Sequence, residues 1–219
     1  EHYDKDLLAY RLSAEWTPTD DFSLRFAYDK SEDDSNAKHG HRLLPSADGT
    51  IPVTGDVYDT RAGIGDANSV ETEGYSLTAQ WDVNDIVTLK SITAYREGST
   101  TTPIDFDALP QPDFDVPAYY NDDQFSQEFQ LLYDNGPLSG VAGIYYLDGT
   151  ADGAFDVILS ALGLSIYQAG EQQKENFSIY GDFTYALNDQ WSVSLGGRYT
   201  EDKTTADVLR EAWLGLGTG

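Results

Sequence analysis

Three histidines (His2, His39 and His41) and no cysteine restrict the chemistry open to this chain. His39 and His41 form a His-x-His pair able to offer two imidazoles to one metal ion. Neither a cysteine nor a third ligand follows at a useful spacing, so no metal centre is expected. The aspartates of DFDALPQPDFD, residues 105–115, lack the glycine and the twelfth-position glutamate of a calcium loop and read as a solvated loop. The terminal GLGTG has the outline of a dinucleotide turn, but no strand is read before it and no helix can follow, so no nucleotide site is assigned. An enzyme needs an oriented acid, base or nucleophile. All three histidines fall outside the strand-like runs, so no catalytic residue and no cofactor is assigned. Glu128 and Arg198 do fall inside such runs, where they read as members of charge ladders before they read as ligand contacts; the ligand-binding residues stay unknown.

Composition bounds what can surround these residues. The chain has 219 residues, no Met and a formal charge of −25. Between Arg96 and Lys174 there is no basic residue, while Asp105, Asp122, Asp123, Asp148, Asp152 and Asp156 all lie there. Binding to nucleic acid phosphates needs clustered Lys and Arg, so that class is excluded; the acidic stretch reads as a solvated rim. The longest apolar-rich run, Val157 to Tyr167, is far short of the roughly 20 residues of a membrane helix, but a membrane strand needs only about 9 to 11. No secretory leader pattern opens the chain. It begins abruptly at EHYDKDLLAY and stops at LGLGTG, and is expected to be a piece of a longer polypeptide.

Four hairpins carry the pattern. Alternating runs of about ten residues flank turns at Thr17 to Asp21, near Asn84 and Asp85, at Asp134 to Pro137, and at Asn188 and Asp189, all built from residues that reverse the chain without strain. Long polar connections are read between the hairpins, from Lys30 to Thr72, Glu97 to Asp123 and Gly149 to Lys174. Two apolar islands, FDVILSALGLSIY and ADVLREAWLGL, are read as short helices packing over the mouth of a barrel in preference to ligand-contacting surfaces.

One parity of each run is free of charge, for example Tyr10, Leu12, Ala14 and Trp16, or Trp191, Val193, Leu195, Gly197 and Tyr199. In the sixth run this parity is taken as Val141, Gly143, Tyr145 and Leu147, although Ala142, Ile144 and Tyr146 suit the same role. Arg11, Glu15, Arg25, Lys90, Arg96, Glu128, Asp148 and Arg198 are read on the opposite parity. A basic residue facing mid-bilayer costs about 2 to 4 kcal/mol, so a lipid face demands this segregation, as a dry sandwich core also would. Aromatic placement separates the two. Trp16, Phe22, Trp81, Tyr133, Tyr185 and Trp191 flank short turns, Tyr10, Tyr28, Tyr75, Tyr95 and Tyr199 sit toward the far strand ends, and Leu, Val, Ile, Ala, Gly and Phe fill the middle, as in the two girdles of a membrane barrel.

The pieces LSAEWTPTDDFSLRFAYD, TLKSITAYRE, QFSQEFQLLYDNGPLSGVAGIYYLDG and YGDFTYALNDQWSVSLGGRYTEDK, in this order, resemble the barrel of TonB-dependent outer-membrane receptors of the iron-complex and siderophore branch. The resemblance covers about half of the chain. It implies an all-β, antiparallel up-and-down transmembrane β-barrel segment of about eight strands, with short periplasmic turns and long extracellular loops, taken from a barrel of about 22 strands. Residues 1–219 would then be a partial barrel domain whose plug, TonB-contacting segment and last strands lie elsewhere. The partners it implies are outer-membrane lipid, TonB through the N-terminal region, and a small ligand such as a ferric siderophore, with the cell outer membrane as location. The alternatives are a passive porin and a soluble secreted β-sandwich that binds glycans through exposed Tyr and Trp.

Overall fold

A computed structural model describes residues 4–215. The chain is a single antiparallel sheet in the order β1 to β8, every strand paired with its neighbours in sequence. The strands are β1 (Leu7–Thr19), β2 (Phe22–Asp33), β3 (Ser69–Asp82), β4 (Val87–Asp105), β5 (Asp115–Asn135), β6 (Leu138–Leu159), β7 (Leu164–Asn188) and β8 (Trp191–Leu214). No ladder joins β1 to β8 among the described residues, so the sheet is open and both strands are edges.

All four short turns stand where the turn chemistry puts them. Asn84 and Asn188 play the same part: each side-chain oxygen accepts two backbone N–H groups just beyond the turn, from Ile86 and Val87 at 2.9 and 3.0 Å, and from Gln190 and Trp191 at 2.9 and 3.1 Å. Gly136 supplies the positive φ, 59°, that the β5–β6 reversal needs.

The other end of the sheet departs from expectation. Of the three long connections only the first remains one, from residue 34 to 68; the second shrinks to 106–114 and the third to 160–163. The missing residues are strand. β7 is 25 residues long and β8 is 24, more than twice the 9 to 11 or so that cross a membrane, while β1 and β2 have only 13 and 12. Outside lipid neither face of a strand has to be apolar, so hydropathy alternation disappears while the backbone ladder continues. The described residues of both apolar islands accordingly belong to strands, apart from the single 3₁₀ turn Ser160–Leu162 and the glycines Gly163 and Gly215, and not to helices over a mouth. A strand also leads directly into GLGTG, whose residues 216–219 lie outside the described ones.

Register decides the faces. Residues directly opposite share one, and a continuous row runs Leu24, Ala79, Ser91, Phe129, Ile144, Ile179 and Tyr199 through consecutive ladders. In β6 the uncharged outer face is therefore Ala142, Ile144 and Tyr146, and Val141, Gly143, Tyr145 and Leu147 point inward. Both parities of β6 are apolar, so alternation could not choose between them. The tight turn at Gly136 and Pro137 does, by setting Asn135 opposite Leu138. Asp148 moves with its strand to the outer face, where it accepts a hydrogen bond from Tyr146 Oη at 3.2 Å.

The outer face has nothing packed on it. Leu195 is 80% exposed and Val193 56%, and the buried apolar residues are few and small: Ala27, Ala37, Ala108, Val116 and Ala118. A soluble sandwich would bury this face beneath a second sheet, whereas the described residues form a single layer. Phe177 to Tyr185 and Trp191 to Tyr199 each span eight positions, about 27 Å along a strand and close to the height of a barrel's apolar band. Above the outer girdle the same face turns acidic. Tyr28 and Tyr95 donate to Glu73 and Glu97 at 3.1 Å, and Tyr75 also donates to Glu73.

Candidate functional site

The inner face carries the polar side chains, and glycine gaps let them reach across strands. Arg96 on β4 crosses β3 at Gly74 to donate to Asp29 Oδ2 on β2 at 2.9 Å; a Cβ on Gly74 would stand 3.0 Å from the guanidinium. Tyr180 on β7 crosses β6 at Gly143 in the same way and donates to Glu128 Oε1 at 2.5 Å. Arg198 lies 5.9 Å from the Tyr180 ring centroid and donates to Ser178 Oγ at 2.9 Å and Thr200 Oγ1 at 3.0 Å. Tyr180 thus joins Glu128 and Arg198 into one inner ladder. Each of the two is engaged by neighbouring strands.

Higher on the same face, where β5 to β8 outgrow the membrane band, lies a groove of about 400 Å³. Its floor is two cross-strand rows: Asp122, Ala151, Gln172 and Ala206, and above them Tyr120, Gly153, Gly170 and Val208. In the upper row two glycines lie between the larger Tyr120 and Val208, which makes the surface concave there. The Tyr120 ring lies over Gly153, where a Cβ would come within 2.7 Å of it. An aromatic ring, two glutamine amides (Gln168 and Gln172) and Asp122 suit a polar ligand with a flat or apolar part.

The first long connection folds onto the tip of the β4–β5 hairpin. Arg42 Nη1 donates to the main-chain oxygen of Asp107 at 2.7 Å, and Gly63 N to Asp105 Oδ2 at 3.0 Å. Gly63 packs so closely on Pro110 that a Cβ would stand 2.3 Å from its carbonyl oxygen. The two histidines of this connection are held apart. His39 Nε2 meets Gly65 O at 2.8 Å, while His41 Nδ1 meets Asp59 O at 3.1 Å and Thr54 Oγ1 at 3.0 Å. Each ring braces its own loop.

The aspartates of residues 105–115 are not the solvated loop expected. Asp105 is 6% exposed and Asp115 1%. One carboxylate oxygen from each of Asp105, Asp107 and Asp115 lies within 4.8 Å of the others. Burial first, then the negative charges of Asp105, Asp107 and Asp113, pushes the Asp115 carboxyl up to about 6. Asp107 is raised too, mainly by burial. The apposition of Asp105 and Asp115 across the ladder creates this cluster, and linear spacing carries no sign of it.

A meander with an uncharged outer band between aromatic girdles, a polar inner wall and strands prolonged beyond the band is the anatomy of a large outer-membrane barrel. Residues 29–212 match the family described as TonB dependent receptor-like, beta-barrel. The chain belongs to the TonB-dependent receptor β-barrel family. Its fold is also that of the ferric yersiniabactin uptake receptor FyuA from Yersinia pestis, with a TM-score of 0.67 at 16% identity over 94% of this chain and 34% of that receptor. The ferric-catecholate import receptor Fiu from E. coli K12, in its open form, aligns over 99% of this chain and 46% of its own, with 7% identity and a TM-score of 0.48. A comparison with curated protein sequences finds no match. This TonB-dependent receptor segment therefore spans about a third of the length of FyuA. Its family is one of transport receptors and not of enzymes.

Sequence reasoning missed the groove, because Tyr120, Gly153, Gly170 and Val208 all stand in stretches read as loop or as a helical island. The signal that could have found them is weak: small and polar residues recurring at every second position, as in Ala151, Gly153 and Gln168, Gly170, Gln172.

Proposed function

We propose that this chain is part of the wall of an outer-membrane receptor that imports a scarce small ligand, a ferric siderophore, with energy delivered through TonB. The short turns face the periplasm and the strand extensions face the outside, where the groove between Tyr120 and Val208 offers the ligand its first contacts. One observation carries the reading. The groove lies on the inner face, continuous with the polar wall around the transport path, and outside the apolar band. Its acidic surroundings favour a neutral or cationic iron chelate over an anionic one. The plug and the segment that touches TonB are supplied by other parts of the receptor, and the chain itself catalyses no reaction.

Uptake of radiolabelled ferric chelates by cells carrying or lacking the intact receptor, with and without TonB, is the test. Receptor-dependent uptake that stops when TonB is removed is expected. Uptake that continues without TonB would instead identify a passive pore, and receptor-dependent uptake of cobalamin or a saccharide without iron would replace the ligand class.

A further inference from the structure

We propose that the tip of the β4–β5 hairpin binds a hard divalent cation, calcium, through the carboxylates of Asp105, Asp107 and Asp115. Two ligands on opposite sides of a calcium ion stand about 4.8 Å apart, since each bond is about 2.4 Å. Three carboxylate oxygens that all lie within 4.8 Å of one another can therefore share one ion without moving far. The donors are oxygens alone, which suits calcium better than zinc or copper, and carboxylates that bind through one or both oxygens suit its loose coordination better than the strict octahedron of magnesium.

A cluster of acids would prove little by itself, but Asp115 adds an independent sign. Its side chain is 1% exposed, and among the described residues its Oδ1 is the one buried side-chain polar atom without a hydrogen-bond partner. A buried carboxylate oxygen stripped of water and given no donor is destabilising unless something else approaches it. Among the described residues no donor, charged or neutral, reaches this oxygen. Asp105 and Asp115 stand directly opposite across the ladder, an arrangement in which like charges repel. The Arg42 guanidinium donates to the main-chain oxygen of Asp107 and not to a carboxylate of the cluster.

The site is also built. Asp105 Oδ1 accepts N–H groups from Asp107 at 3.1 Å and Ala108 at 2.5 Å, and Leu109 N donates to Asp107 Oδ1 at 2.9 Å, which fixes two of the three ligands. Phe106 and Phe114, the next pair beyond Asp105 and Asp115, stack with centroids 4.8 Å apart and share a backbone hydrogen bond of 3.0 Å. Because Asp105 Oδ2 also holds Gly63 N, an ion here ties the 34–68 connection to the hairpin tip. This cation site goes beyond the uptake reading and stands whether or not the ligand is a siderophore.

The experiment uses the full-length receptor in detergent, stripped of metal with EGTA and titrated with calcium chloride in a calorimeter. In parallel, protease cleavage within residues 34–68 is compared in calcium and in EGTA. One saturable site is expected, with cleavage slowed at least tenfold by calcium. Asp115→Asn and Asp105→Asn should each lose tenfold or more in affinity, and Asp48→Asn, in the same connection but outside the cluster, should lose nothing. Heat-modifiable migration of the barrel on gels checks folding. If Asp105→Asn fails it, Asp107→Asn, which leaves the bond to Gly63 intact, takes its place. No calcium binding by the wild type, or Asp115→Asn binding as tightly as the wild type, overturns the proposal.

Discussion

An arginine placed at residue 141 or 142 of β6 tests the register directly, because the two neighbours lie on opposite faces. Ala142 stands between Leu131 and Gly181, and Gly181 is halfway between Phe177 and Tyr185, the ends of the apolar band on β7, so the Ala142 Cβ faces the middle of the hydrocarbon. Arginine there should destabilise the folded barrel by about 2 to 4 kcal/mol, a factor of roughly thirty to several hundred in the folding equilibrium. Val141 faces inward and stands directly opposite Asp182, so Val141→Arg meets water and a carboxylate and should cost about 1 kcal/mol or less. Urea unfolding of the full-length receptor in lipid vesicles, followed by tryptophan fluorescence, measures both. If Val141→Arg is the more destabilising of the two, the face assignment of β6 is wrong and Val141, Gly143 and Tyr145 face the lipid.

Gly143→Ala should cost about 1 to 3 kcal/mol by the same assay, because the new methyl would stand 2.6 Å from the end of Tyr180 and 2.8 Å from Phe129 O, breaking the bond from Tyr180 to Glu128. Tyr120→Ala should weaken binding of the imported ligand about tenfold, the loss of roughly 1.4 kcal/mol of ring contact, and leave urea stability nearly unchanged. Equilibrium binding to intact cells measures it. Asp48 is held down to about 2 by hydrogen bonds from Ser46, then from the N–H and hydroxyl of Thr50. Its folded value lies below the ordinary 3.8, so its contribution to the order of residues 46–51 is complete above pH 4 and is lost as pH falls toward 2. Pepsin should therefore cut this turn faster at pH 2 than its activity alone explains, and Asp48→Asn should abolish the difference.

Within the membrane band the sequence by itself determined a great deal: four hairpins, the residues of every short turn, seven of eight outward faces and both girdles. Lipid excludes charge from one parity and admits it on the other, and Asn and Gly are needed wherever two strands reverse tightly, so both constraints are written locally. β6 escaped because its two parities are equally apolar, and only the ladder to β5 could choose between Val141 and Ala142. Beyond the band the constraint vanishes. Strand extensions there are held by the backbone ladder and by polar cross-strand pairs such as Asn121 with Asp152, which leave no trace in side-chain hydropathy, so residues 115–123, 149–159, 164–174 and 203–214 were legible only as loop or helix. The groove and the aspartate cluster both belong to that region. Tyr120 meets Gly153, and Asp105 meets Asp115, through pairings between segments that share no local pattern, and only the tertiary structure could bring them together.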